Sequence, residues 1–287
     1  MSSTYGRRGL LRSAAVIATA GFDWRLAAAI AKAEPQALVL GNASYDAAPL
    51  KNPKNDARLV TNALRQVGFA VAHHEDQTLD RMRGALDAWL TQAAGAEVRF
   101  FYFAGHGVQF RGRNYALPVD VELEYEAEIA VKAIDVSEIA ERLGRVRHGV
   151  NIVVMDACRD APFPLTRRLG VSRARALVGS VQPGLSAFVP AQGTVIAFST
   201  APGAVAFDGS GGNSSYTKHL AHQIGVTGQT VEAMFKRVRA SVARETANRQ
   251  VPWETSSLIG EFCLRPSESG MCGGSRSDPG TVNLGRR

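Results

Sequence analysis

A histidine held between two glycines, Gly105-His106-Gly107, and a cysteine in Asp156-Ala157-Cys158-Arg159-Asp160 are the residues of this chain best suited to chemistry. A thiol becomes a strong nucleophile as a thiolate, or beside a base that takes its proton, so a cysteine and a histidine brought to one place form a candidate dyad for acyl transfer. A lone cysteine is more often a small buried hydrophobe, and a lone histidine on an apolar strand a hydrogen-bonded structural residue. The surroundings argue against that reading for both. Glycines around His106 permit unusual backbone angles and close approach of a substrate, and the Gly107 amide is placed to donate to an oxyanion. The charged neighbours of Cys158 are a poor setting for a core hydrophobe.

The elements that must carry these residues are strands. His106 follows the apolar run Val98 to Phe103, and Cys158 follows Val150 to Met155. Short runs rich in Val, Ile and Phe read as buried strands of a parallel sheet, and open α/β sheets build their sites at strand C-termini. Further strands are expected at Gln36 to Gly41, Phe69 to Ala72, Thr194 to Ser199 and Ser257 to Leu264. Helical periodicity marks Asn55 to Gln66, Leu79 to Ala94, Asp135 to Val146, Ser215 to Ile224 and Thr230 to Thr246. Alternation of the two element types predicts an α/β fold with a doubly wound, mostly parallel sheet and right-handed crossovers.

The 287 residues suffice for one substantial core. Formal net charge is +7, but its distribution excludes a nucleic-acid-binding face. Residues 1–33, 159–192 and 265–287 carry the excess, and the remainder holds 19 basic against 22 acidic side chains. The core is therefore mildly acidic, with no basic stripe interleaved with aromatics.

Arg7-Arg8-Gly9-Leu10-Leu11-Arg12, an apolar stretch from Ala14 to Phe22 and Ala31-Lys32-Ala33 read as a twin-arginine export signal over 1–33, which implies an exported, periplasmic protein. The alternatives are an amphipathic leader helix or a simple anchor; the apolar stretch is too short to span a bilayer, and no transmembrane span is expected in the mature chain. Residues 34–265 form the expected catalytic domain. Within it, 161–192 loses periodicity and reads as a flexible linker, and 266–287 reads as a disordered tail. Cys263 and Cys272 are spaced so that an oxidising compartment permits, without requiring, a disulfide.

The His and Cys motifs and their spacing resemble the caspase-like cysteine peptidases, in particular the bacterial metacaspase-like (orthocaspase) branch. Gly41-Asn42-x-x-Tyr45, Asn55-Asp56-Ala57, Asn114-Tyr115-Ala116-Leu117-Pro118-Val119-Asp120 and Phe198-Ser199-Thr200-Ala201-Pro202-Gly203 extend the resemblance over about residues 36–264. It implies a caspase-hemoglobinase-like three-layer sandwich with about six strands flanked by helices. It also implies a dyad without a third member: His106 as general base and acid, Cys158 as nucleophile, and the amides of Gly107 and Cys158 as oxyanion hole.

Where caspases build an aspartate-selecting pocket from two arginines and a glutamine, this chain has Asp56, Asp156 and Asp208. The resemblance therefore implies protein or peptide substrates with Arg or Lys before the scissile bond. Such specificity makes Arg167, Arg168, Arg173 and Arg175 of the linker candidate self-cleavage sites. Some members of the branch bind calcium through aspartates. Asp120 and Asp135 resemble two of these, but Val136 stands where a second adjacent Asp is expected and Pro162–Leu165 holds none, so no cofactor or metal is expected. His73-His74-Glu75-Asp76 and His219-x-x-His222 read as solvated faces. Two competing readings are a catalytically idle caspase-like module that binds a peptide or partner, and a cysteine amidase of small substrates.

Overall fold

In the computed structural model the described residues are 34–146, 148–158, 181–182, 192–201, 211–270 and 272. The proposed export signal, Asp208, the four linker arginines and most of the tail lie outside them. Strands β1 (Gln36–Gly41), β2 (Ala70–Glu75), β3 (Val98–Phe110), β6 (Val150–Cys158), β8 (Thr194–Phe198) and β9 (Trp253–Ser256) form a sheet in the order β2-β1-β3-β6-β8-β9. Pairing is parallel from β2 to β8, and only β9 joins antiparallel, at the edge.

Continuous apolar runs, whose successive side chains point to opposite sides, give the sheet two buried faces. Val39, Phe100, Tyr102, Val154 and Ala197 pack against α1 (Pro53–Gln66), α5 (Ser215–Ile224) and α6 (Val231–Glu245). Leu40, Phe101, Phe103, Val153 and Phe198 pack on the other face against α2 (Leu79–Gln92) and α4 (Val136–Gly144). The result is the expected three-layer sandwich. Local signals set the helix starts: Pro53 begins α1, Asp135 accepts from the Glu138 amide to cap α4, and Ser214 and Thr230 cap α5 and α6 through the Thr217 and Ala233 amides.

Two expectations need correction. The strand carrying His106 does not end at Phe103 but continues to Phe110. Gly105, at φ +154°, lets the chain pass close under Tyr45, where an added Cβ would come within 2.6 Å of the phenolic oxygen. Beyond it β3 leaves the parallel sheet and pairs antiparallel with β4 (Arg113–Ala116) and with β7 (Val181–Gln182). His106 thus sits inside a strand, at the point where parallel pairing stops.

The closing strand is β9, not Ser257 to Leu264. Leu258, Phe262 and Leu264 pack on the core from an irregular segment whose Phe262 carbonyl accepts the Val231 amide at the start of α6. Apolar spacing there reflects a packed loop. Cys263 and Cys272 are joined by a disulfide, with Cα atoms 5.6 Å apart.

Candidate active site

Parallel register places His106 and Cys158 opposite each other on adjacent strands, at the last pair of the parallel ladder between β3 and β6. Neighbouring strands lie about 4.8 Å apart, so the fifty-two-residue connection closes to a single cross-strand step. The side chain of Cys158 lies outside the described residues.

His106 is 5% exposed and held on three sides. Its backbone amide donates to the Tyr45 hydroxyl at 3.0 Å, which in turn donates to the Leu117 carbonyl at 3.0 Å. The Tyr45 ring lies 4.5 Å from the imidazole, centroid to centroid. Nε2 is 2.7 Å from the Ala48 carbonyl oxygen. A carbonyl only accepts, so Nε2 carries the proton and a neutral His106 keeps its lone pair on Nδ1, as a base requires. The Ala48 carbonyl therefore orients the histidine. The sequence held no sign of it, because the group is a backbone carbonyl and alanine's side chain carries no information about it. Gly107 has equally little room: a Cβ there would meet that of Ala157 at 2.8 Å.

Two of the three proposed pocket aspartates meet at the same sheet edge. Asp56, in the first turn of α1, is 2% exposed, and Asp156, two residues before Cys158, is 8% exposed. Ser214 joins them. Its amide donates to Asp56 Oδ1 at 2.9 Å and its hydroxyl to Asp156 Oδ2 at 2.5 Å, while the same hydroxyl oxygen accepts the Thr217 amide as the cap of α5. Asn213 Nδ2 also donates to Asp56, and the Thr217 hydroxyl to Asp156 at 2.7 Å. The Tyr102 hydroxyl lies 2.5 Å from that of Thr217 and extends the chain of hydrogen bonds into the core. Burial pushes the Tyr102 and Tyr216 phenols well above their ordinary pKa, and the Asp156 charge adds to it in both. This corner of the molecule carries a negative field.

Asp120 and Asp135, the calcium candidates, serve separate helices. Asp120 accepts the Leu79 amide at the start of α2, and Asp135 caps α4 and pairs with Arg113. Among the described residues no three His, Cys, Asp or Glu side chains gather as metal ligands would. His73 contacts Thr61 and Glu75, and His219 contacts Glu245.

The sequence profile of the caspase domain matches residues 35–263. The chain belongs to the caspase-domain family of cysteine peptidases. Over 124 residues, 43% of this chain, it is 34% identical to human mucosa-associated lymphoid tissue lymphoma translocation protein 1 and, over the same length, to the mouse homolog. The match spans 15% of the human protein and 14% of the mouse one. Caspase-1 from Spodoptera frugiperda shares the fold, with TM-score 0.58 and 16% identity over 83% of this chain and 92% of that one.

Proposed function

We propose that this caspase-domain protein is an endopeptidase in which His106 and Cys158 act as a dyad and cleavage follows Arg or Lys. The observation that carries the proposal is the register pairing of the two residues, with His106 Nε2 donating to Ala48 and Nδ1 left as the basic nitrogen. In this mechanism Nδ1 takes the Cys158 thiol proton as sulfur attacks the substrate carbonyl. The resulting oxyanion accepts from the amides of Gly107 and Cys158. Collapse breaks the C–N bond, the imidazolium protonates the leaving amine, and a thioester remains. Water, deprotonated by His106, then releases the acid and regenerates the thiol.

The specificity reading rests on Asp56 and Asp156, two buried carboxylates bridged by one serine. A guanidinium or ammonium entering beside them exchanges hydration for charge-assisted hydrogen bonds. Asp208 is kept as a third pocket member on sequence grounds. A fluorogenic peptide ending in Arg should be hydrolysed, its Asp-ending counterpart should not, and Cys158→Ala and His106→Ala should be inactive while folded. Preference for the Asp peptide would refute the pocket, and turnover by Cys158→Ala would refute the dyad.

The metacaspase-like branch, self-processing and export complete the proposal. Cleavage after Arg167, Arg168, Arg173 or Arg175 should divide purified wild type and leave Cys158→Ala whole; an active enzyme that stays one chain removes that element. Replacing Arg7 and Arg8 by Lys should retain an uncleaved leader, whereas unchanged periplasmic maturation would dismiss the twin-arginine reading.

A further inference from the structure

We propose that Asp76, at the end of β2 and two strands away from His106, is a positioning residue that sets the tautomer and orientation of the catalytic imidazole through the loop 42–50. The role rests on the dyad reading above. The carbonyl that holds His106 belongs to Ala48, in a loop whose residues 46, 47 and 49 are exposed. Tyr45 is anchored in the core, but the stretch 46–49 contributes little packing of its own, so the position of Ala48 depends on hydrogen bonds. Two of these meet at Ala43, whose carbonyl accepts from both the Tyr45 and the Leu50 amides and so closes the segment that contains Ala48.

Ala43 is itself fixed by Asp76. Oδ1 accepts from the Ala43 amide at 2.8 Å and from the Ser44 amide at 2.9 Å; Oδ2 accepts from the Ser44 hydroxyl at 2.7 Å and from Lys54 Nζ at 2.8 Å. The Asp76 amide donates back to the Gly41 carbonyl, so the residue grips the start of the loop at both its backbone and side chain. It does so at φ +48°, a left-handed conformation that Asp tolerates and most residues do not. Burial favours the neutral acid, but the hydrogen bonds from Lys54, Ala43 and Ser44 outweigh it and hold the carboxyl well below its ordinary range.

Both contacts to His106 descend from this anchor. Tyr45, two residues beyond Ala43, receives the histidine amide, and Ala48, five beyond, receives Nε2–H. Asn42 supports the same junction from the other side. Its Nδ2 donates to the carbonyls of Gln77 and Leu117, its Oδ1 accepts the Gln77 amide, and its own amide donates to Ala104, two residues before His106. Loss of the Asp76 carboxylate would therefore free Ala48 to shift by a fraction of an ångström to an ångström, a displacement that costs about ten- to a hundredfold in rate when it misaligns a catalytic group.

The test uses the full chain and two readouts. Imidazole ¹⁵N spectra report the His106 tautomer without reference to activity: wild type should show protonated Nε2, and Asp76→Ala a mixture. Iodoacetamide labelling of Cys158 against pH reports the base at work. Asp76→Ala should label about tenfold more slowly near neutrality, and lose kcat on the Arg peptide with KM unchanged. Asp76→Asn, which keeps an acceptor for the Ala43 and Ser44 amides, should recover most of the loss; Asp76→Gly, which lacks the carboxylate but suits the backbone at φ +48°, takes the alanine variant's place if that does not fold and should show the same mixture. A folded Asp76→Ala or Asp76→Gly with the wild-type tautomer would overturn the proposal. Labelling unaffected by His106→Ala would instead count against the dyad, and the spectra would still decide the role of Asp76.

Discussion

Two buried charges sit at opposite ends of the sheet, and they are held differently. Arg99, near the start of β3, is fully buried; its guanidinium donates to the Ala93, Ala94 and His148 carbonyls and to Asn151 Oδ1. These acceptors are fixed backbone groups and one amide, itself anchored to the Leu143 carbonyl and Thr194 hydroxyl. Asp156, near the end of β6, accepts from the rotatable hydroxyls of Ser214 and Thr217. The first arrangement ties the end of α2 to the turn before β6, chiefly through backbone carbonyls. In the second, the hydroxyl protons can turn about their C–O bonds, which the proposed function uses to accommodate a cation beside Asp156. Burial of charge at the N-terminal edge thus serves stability, and on the proposed function the buried charge at the C-terminal edge serves recognition.

That contrast is broken most easily at Asp156. Asp156→Asn keeps an acceptor for both hydroxyls but removes the charge, so kcat/KM for Arg peptides should fall by about 2–5 kcal/mol of transition-state binding. The urea midpoint should be no lower than in wild type. A large loss of stability with specificity intact would reverse the assignment. Arg99→Met should do the opposite: buried carbonyls lose their donors, at a cost of about 3 kcal/mol in urea unfolding, and the folded fraction should keep its kcat/KM within about twofold. Inactivity of a stably folded Arg99→Met would show that the two ends are coupled.

The smallest effect lies outside both. Lys218 foremost, then Ser215 and His219, hold Glu245 at a pKa of about 2, below its ordinary value of 4.5. A depressed acid contributes stability above the unfolded pKa and loses it as pH falls from about 4.5 through 2. The carboxylate is one-third exposed, so screening reduces the contribution to about 1 kcal/mol or less. Glu245→Gln should lower stability slightly at pH 7 and not at pH 2, without altering cleavage; an equal loss at both pH values would show that packing, not charge, is responsible.

The sequence made the alternation of strands and helices legible because buried parallel strands need continuous apolar runs and a helix with one buried face repeats its apolar residues at helical spacing, as Asn55 to Gln66 does. His106 and Cys158 stood out because glycine and charge interrupt those runs where chemistry needs them. What stayed hidden depends on backbone and tertiary contact. The Ala48 carbonyl has no side-chain signal, and the double role of Ser214 requires α1, β6 and α5 to converge. The continuation of β3 past Gly105 looked like an ending because glycine ordinarily weakens a strand. Here it admits a bend that brings His106 under Tyr45. Residues 257–264 misled for a related reason: an apolar loop packed on the core has the composition of a strand without its pairing.

The central claim is that His106 activates Cys158 beside an acidic pocket. An Arg-ending peptide chloromethyl ketone tests all three parts at once, because its methylene carbon alkylates the sulfur, with loss of chloride, only after the arginine is seated and the thiol has lost its proton. Intact-mass and peptide-mapping analysis should find one equivalent on Cys158 in wild type, at least a hundredfold slower modification in His106→Ala, and little labelling by the Asp-ending analogue. Equal labelling of wild type and His106→Ala, or faster labelling by the Asp-ending reagent, would contradict the account.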